Sequence, residues 1–225
     1  MKMKFIFAFL LTAPALVAQE VTSLDSSYAN GYYVERLAFF EQLPNRENEI
    51  VFMGNSITEA GDWQVIVRRT NVENRGISGD NSYGVYHRLD EVLVSNPDKL
   101  FLMIGVNDIK RGTSIPNILK NYERIAIKVK KDAPHTQLYF QSVLPVTQSV
   151  LASIYDKITN EKIKKLNKGI QSIAKENDLV YIDLHNEVFS DEKGQLKREL
   201  TTDGLHLKPA GYILWVNYLK KNKYL

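Results

Sequence analysis

Glu49-Ile-Val-Phe-Met-Gly-Asn-Ser-Ile-Thr-Glu59 carries an apolar run straight into a polar Gly-Asn-Ser turn, and a helical pattern follows it. Residues 50–53 are short and apolar throughout, which suits a strand buried on both faces of a parallel sheet. Open α/β sheets bind their ligands outside the carboxyl ends of such strands. Ser56 stands at that place, and a serine there fits two roles. It is a helix N-cap, its hydroxyl accepting a backbone N–H, or it is a nucleophile. The flanking residues do not form G-x-S-x-G, the strand-to-helix elbow that displays a serine in α/β-hydrolases. The choice between the roles therefore depends on partners elsewhere in the chain.

Outward from this stretch the pattern repeats. Apolar runs at Val72–Asn74, Leu100–Ile104, Leu138–Val143 and Val180–Asp183 join Ile50–Met53 as predicted strands. Between them Tyr83–Val94, Ile115–Lys130 and Glu161–Glu176 carry apolar residues at helical spacing, with Tyr32–Leu43 before the first strand and Tyr212–Leu219 after the last. Strand-then-helix alternation predicts an α/β fold, a parallel sheet of about five strands with helices on both faces. Three polar, glycine-bearing loops follow the first three strands: Asn55-Ser56, Gly76-Ile-Ser-Gly79-Asp80 and Gly105-Val-Asn107-Asp108. In a parallel sheet these loops meet on one rim.

Residues 1–19 read differently from the rest. Lys2 and Lys4 precede the apolar run Phe5 to Leu11, and Pro14-Ala-Leu-Val-Ala18 supplies small residues before Gln19. That order is the pattern of a secretory signal peptide, with cleavage expected near residues 18–19 and one domain over 20–225. The run is short for a membrane span, and without cysteine it offers no thiol for a lipid anchor. The full chain has 225 residues and a formal net charge of +3; losing Lys2 and Lys4, with no acid among residues 1–19, leaves +1. Such a balance makes no case for nucleic acid or an anionic membrane. The absence of cysteine also removes disulfides, thiol nucleophiles and thiolate metal sites.

Late in the chain Asp203-Gly-Leu-His206 places an acid three residues before a base, with Gly204 permitting a tight turn. That spacing lets the carboxylate reach Nδ1 of the imidazole, which fixes the tautomer and steadies the imidazolium when Nε2 takes a proton. Among the four histidines, His185 is the one competitor, since it follows the Val180–Asp183 strand; His87 lies on a helix and His135 in a turn. Gly79 lets a backbone N–H approach a ligand closely, and Asn107 brings a side-chain amide to a neighbouring loop. Both are donors of the kind that stabilise a tetrahedral oxyanion, and both residue types are common in turns. Asp62, Asp80 and Asp108 lie in loops, but no metal-ligand spacing connects them, so no metal is expected. Trp63 and Tyr83 either line a sugar site or pack in the interior.

Taken in order, these segments resemble the GDSL or SGNH hydrolases. Gly54-Asn55-Ser56-Ile57-Thr58 looks like the first block of that family, with Asn55 where many members have Asp. Arg75-Gly-Ile-Ser-Gly79-Asp80 looks like the second block, Gly105-Val-Asn107-Asp108 like the third, and Asp203-Gly-Leu-His206 like the last, although Leu207 stands where many members have Pro. The resemblance implies a flavodoxin-like, three-layer α/β/α sandwich. It implies a Ser56–His206–Asp203 triad, with oxyanion donors from the Ser56 and Gly79 backbones and the Asn107 amide, and no cofactor. Gln141-Ser-Val-Leu-Pro-Val146 and Gly211-Tyr-Ile-Leu-Trp215 look like the branch that includes platelet-activating-factor acetylhydrolase subunits and bacterial secreted acetylesterases.

The expectation is thus a secreted or periplasmic serine esterase for short acyl groups, acetyl first, on a small-molecule or glycan ester. Two alternatives stand beside it. One is a lysophospholipase or thioesterase using the same triad on lipid acyl groups. The other is a non-catalytic glycan-binding module on a hydrolase scaffold.

Overall fold

The computed structural model describes residues 26–225, so the expected signal peptide at 1–19 lies outside the described residues. Five strands form one all-parallel sheet: β1 (Ile50–Gly54), β2 (Val72–Gly76), β3 (Lys99–Met103), β4 (Gln137–Gln141) and β5 (Val180–Ile182), in the order β2-β1-β3-β4-β5. The expected α/β fold, a parallel sheet within a three-layer sandwich, is what the chain adopts. Each strand end lies within two residues of its expected position. The helices are α1 (Gly31–Phe40), α2 (Ser56–Glu59), α3 (Trp63–Val67), α4 (Ser82–His87), α5 (Leu89–Leu93), α6 (Val106–Arg111), α7 (Ile115–Asp132), α8 (Asn160–Glu176) and α9 (Pro209–Lys221). On one side α3 packs with α9; on the other α4 and α5 pack against α7, and α7 against α8.

Local sequence accounts for the long helices. Buried Ile118, Tyr122, Ile125 and Val129 recur along α7 at three- and four-residue steps, as Ile163, Leu166, Ile170 and Ile173 do along α8. Pro116 and Pro209 stand in first turns, where a missing N–H costs nothing. The expected single helix over 83–94 is instead two, α4 and α5, parted at Arg88. That residue leaves helical torsions (φ −97°, ψ 13°), and its guanidinium turns inward to Asp80 and to the Gly54 and Arg75 carbonyls.

Under α3 and α9 an aromatic row crosses the sheet. Trp63 stacks on Phe52 at 3.9 Å, Phe52 on Phe101 at 4.9 Å and Phe101 on Tyr139 at 4.6 Å. Trp63 is therefore an interior residue, its indole N–H donating to the Thr58 carbonyl. Tyr212 of α9 donates to the Ile57 carbonyl, which fastens the last helix against α2.

The register decides where the loops go. Gly54 of β1 is level with Gly76 of β2 and with Met103 of β3. The segments that follow these three residues therefore leave the sheet from one edge. The chain reverses direction there, β2 lying on one side of β1 and β3 on the other. Such a switch point is where open α/β sheets leave a crevice.

Candidate active site

Ser56 opens α2 immediately beyond β1. The residue that caps this helix is Asn55, whose Oδ1 accepts the Ile57 N–H at 3.0 Å. Ser56 is thereby released from capping, and its Oγ lies 3.0 Å from Nε2 of His206. The other ring nitrogen, Nδ1, lies 2.6 Å from Oδ2 of Asp203. Oδ1 of Asp203 accepts the backbone N–H groups of Leu205 and His206 at 2.9 and 2.8 Å. Burial pushes the Asp203 carboxyl upward, but the bonds from the His206 ring and from these two backbone groups outweigh it and hold the pKa at about 2. The carboxylate is ionised across the physiological range.

The turn that carries this pair is closely held. Thr201 Oγ1 accepts the Gly204 N–H at 2.9 Å, and the Gly204 carbonyl accepts the Thr147 N–H at 2.8 Å. Gly204 has φ +85°, and a Cβ there would fall 2.6 Å from the Thr147 carbonyl oxygen, so only glycine fits.

The second and third loops are tied to each other. Asn107 donates one amide hydrogen to the Asp80 carbonyl at 2.9 Å, next to Gly79. Gly79 has φ +82° with open space where a side chain would project; its glycine serves the backbone conformation and leaves room for a ligand. Arg111 of α6 donates to the Gly79 carbonyl at 2.8 Å. Asp108 is fully buried and accepts the Ser82 hydroxyl at 2.6 Å and the Ser82 N–H at 3.0 Å. Burial, only partly offset by the Ser82 bonds, pushes Asp108 up to about 7.

Two groups that the sequence did not single out, Arg88 and Glu59, complete the frame. Arg88 and Asp80 form an ion pair at 2.9 Å with neither side chain exposed, and burial outweighs the Arg88 charge to leave Asp80 at about 6. Arg88 also donates to the carbonyls of Gly54 and Arg75, joining the ends of β1 and β2 to the second loop. Glu59 takes the Ser78 N–H at 2.7 Å and the Ser78 hydroxyl, and on its other side meets Tyr32 at 2.5 Å and Arg36 at 3.1 Å. An arginine or glutamate within a helical pattern reads as a solvated charge, and only partners distant in sequence reveal otherwise.

The other predicted residues fall elsewhere. The His185 imidazole is buried against the Val143 carbonyl and Asn167, and burial holds its pKa below the ordinary value. Asp80 and Asp108 are taken by Arg88 and Ser82, while Asp62 stands exposed before α3. Among the described residues no group of three or more acids or histidines is placed to hold a metal, and no helix is long and apolar enough to cross a membrane.

The arrangement can move a proton from a hydroxyl to an imidazole backed by a carboxylate, beside two polar loops. Comparison with known proteins meets it from another direction. The family model of GDSL-like lipases and acylhydrolases matches residues 52–214. A solved Streptococcus pneumonia protein named for platelet activating factor is 32% identical, with a TM-score of 0.78 over 85% of this chain and 92% of that one. An acetylxylan esterase from Geobacillus stearothermophilus shares the fold at 17% identity, with a TM-score of 0.62 over 79% of this chain and 96% of that one. Among curated proteins, the N-acylneuraminate cytidylyltransferase of Streptococcus agalactiae is 23% identical over 188 residues, 80% of this chain. The chain spans 42% of that relative's length, less than half.

Proposed function

The chain belongs to the GDSL-like lipase/acylhydrolase family, and from that premise we propose that it is an exported serine esterase removing short acyl groups, acetyl first, from O-acylated carbohydrate. One observation carries the reading: the unbroken relay from Ser56 Oγ to His206 Nε2 and from His206 Nδ1 to Asp203. In the first half-reaction Ser56 Oγ bonds to the ester carbonyl carbon while its proton passes to Nε2. The carbonyl oxygen becomes an oxyanion, which the backbone N–H groups of Ser56 and Gly79 and the second amide hydrogen of Asn107 receive. The carbon–oxygen bond to the alcohol then breaks, and His206 gives its proton to the leaving oxygen. A water repeats the sequence on the acyl-enzyme and releases the acid. Asp203, ionised throughout, holds the tautomer that this exchange requires. No cofactor takes part.

The substrate class has two supports. Acetylxylan is an acetylated sugar polymer, and the named acetylxylan esterase shares the fold. The first curated relatives act on an N-acylneuraminate, itself a sugar, although this chain corresponds to less than half of them. Export rests on Lys2, Lys4 and the apolar run after them.

A panel of nitrophenyl esters of rising acyl length tests the reading, followed by acetylated glycans assayed for released acetate. Activity greatest on acetate and falling with chain length supports it. Activity rising steeply toward long acyl chains would instead mark a lysophospholipase or thioesterase.

A further inference from the structure

We infer that residues 148–155 form the alcohol-side wall of the site and favour esters whose alcohol presents an apolar face, as the C–H face of a sugar ring or an aryl ring does. The inference rests on the proposed roles of Ser56 and His206. The segment lies between β4 and α8 and is built from two single turns, Gln148–Val150 and Ser153–Tyr155. Its first end is fastened to the turn that carries His206. The Thr147 N–H donates to the Gly204 carbonyl at 2.8 Å, and the Thr147 hydroxyl donates to the Leu196 carbonyl at 2.7 Å. Val150 and Leu151 press on Gly204 so closely that a Cβ there would meet Val150 Cγ2 at 2.9 Å and Leu151 Cδ2 at 3.4 Å.

Its second end reaches α6. The Lys110 ammonium sits 4.5 Å over the Tyr155 ring, a cation–π contact, and Lys110 lies one helical turn beyond Asn107. The segment therefore bridges the turn of His206 and the helix of Asn107. Along that bridge Val150 is 36% exposed and Ile154 62% exposed, with Leu151 and Tyr155 half-buried beside them. Apolar side chains displayed at the edge of a catalytic crevice gain by covering apolar ligand surface.

Position identifies which part of the ligand that is. His206 returns its proton to the leaving oxygen, so the alcohol lies on the imidazole's side of the scissile carbon. Gly204, on which Val150 and Leu151 rest, is two residues from His206. The carbonyl oxygen turns instead toward the donors of Gly79 and Asn107. The wall thus meets the alcohol, and it acts only until the alcohol departs.

This timing supplies the test. All acetate esters pass through one acetyl-enzyme, so breakdown of that intermediate is blind to the alcohol. We would prepare Val150→Ser, Ile154→Ser and the double variant, and measure kcat/KM on 1-naphthyl acetate and ethyl acetate, with rapid mixing to separate acylation from deacylation. The expected result is about a tenfold fall per variant in the ratio of kcat/KM for naphthyl over ethyl ester, with the loss in acylation alone. An equal change for both esters, no change, or slowed deacylation would overturn the assignment, because each marks a segment that merely supports the His206 turn. If Ser56→Ala leaves naphthyl acetate hydrolysis intact, the esterase reading itself falls, and that result comes before any wall variant is made.

Discussion

Asp203 holds His206 twice: Oδ2 lies 2.6 Å from Nδ1 of the ring, and Oδ1 accepts the backbone N–H of the same residue at 2.8 Å. Three residues apart, the pair fixes both the position of the backbone and the orientation of the imidazole. Asp203→Asn keeps the shape, but its amide favours the wrong ring tautomer. The expected outcome is a fall in kcat of about 10⁴-fold with KM little changed, read from initial rates on a short-chain nitrophenyl ester. With the Asp203 pKa held at about 2, activity lost between about pH 7 and about pH 5 must have another source.

Asn107 has one amide hydrogen anchored on the Asp80 carbonyl, and the proposed oxyanion bond uses the other. Asn107→Ala is expected to lower kcat by about 100–1000-fold while KM stays within a few-fold. Loss confined to KM would place Asn107 in ground-state binding.

Arg88 and Asp80 form a buried pair with both side chains fully enclosed. Truncation of Arg88 leaves the buried Asp80 carboxyl without its partner and the Gly54 and Arg75 carbonyls without their donor, so Arg88→Ala should destabilise the fold by about 3–5 kcal/mol. Arg88→Lys should recover little, because one ammonium cannot serve Asp80 together with the Gly54 and Arg75 carbonyls in the fork geometry of a guanidinium. Urea denaturation checks both; a midpoint unchanged in Arg88→Ala would refute the structural role.

Asp108 is held up at about 7 by burial, against about 4 for a carboxyl in an unfolded chain. Between those values the folded protein keeps a proton that the unfolded chain has released. The contribution of Asp108 to stability therefore falls as pH rises through that window, by up to about 1.4 kcal/mol per pH unit. Asp108→Asn cannot titrate and lacks this slope. Relative to wild type, it should become more stable on going from about pH 5 to about pH 8, as urea midpoints will register. Parallel pH profiles for the two proteins would contradict the shift.

The sheet and its rim were legible in the sequence because short, fully apolar strands and glycine-bearing loops are local signals. Gly54, Gly76 and Met103 prove level in the register, as convergence of three loops requires. The capping of α2 was not legible. Asn55 and Ser56 are both good N-cap residues, and only the backbone shows Asn55 taking the Ile57 N–H. That single hydrogen bond explains how the chain accommodates Asn before its serine and leaves the hydroxyl to His206. Arg88 and Glu59 escaped notice for a related reason. Their partners lie far off in sequence, and helical periodicity assigns isolated charges to solvent. Residues 148–155 carry no regular period, so their place beside Gly204 comes from tertiary contacts alone.

The central claim is that Ser56 is the nucleophile, and the most direct measurement is hydrolysis of a short-chain nitrophenyl ester by purified Ser56→Ala beside wild type. The account predicts a loss of about 10⁴-fold or more in kcat, together with labelling of wild type, and not of the variant, by a fluorophosphonate serine probe. Hydrolysis by Ser56→Ala at the wild-type rate would contradict it.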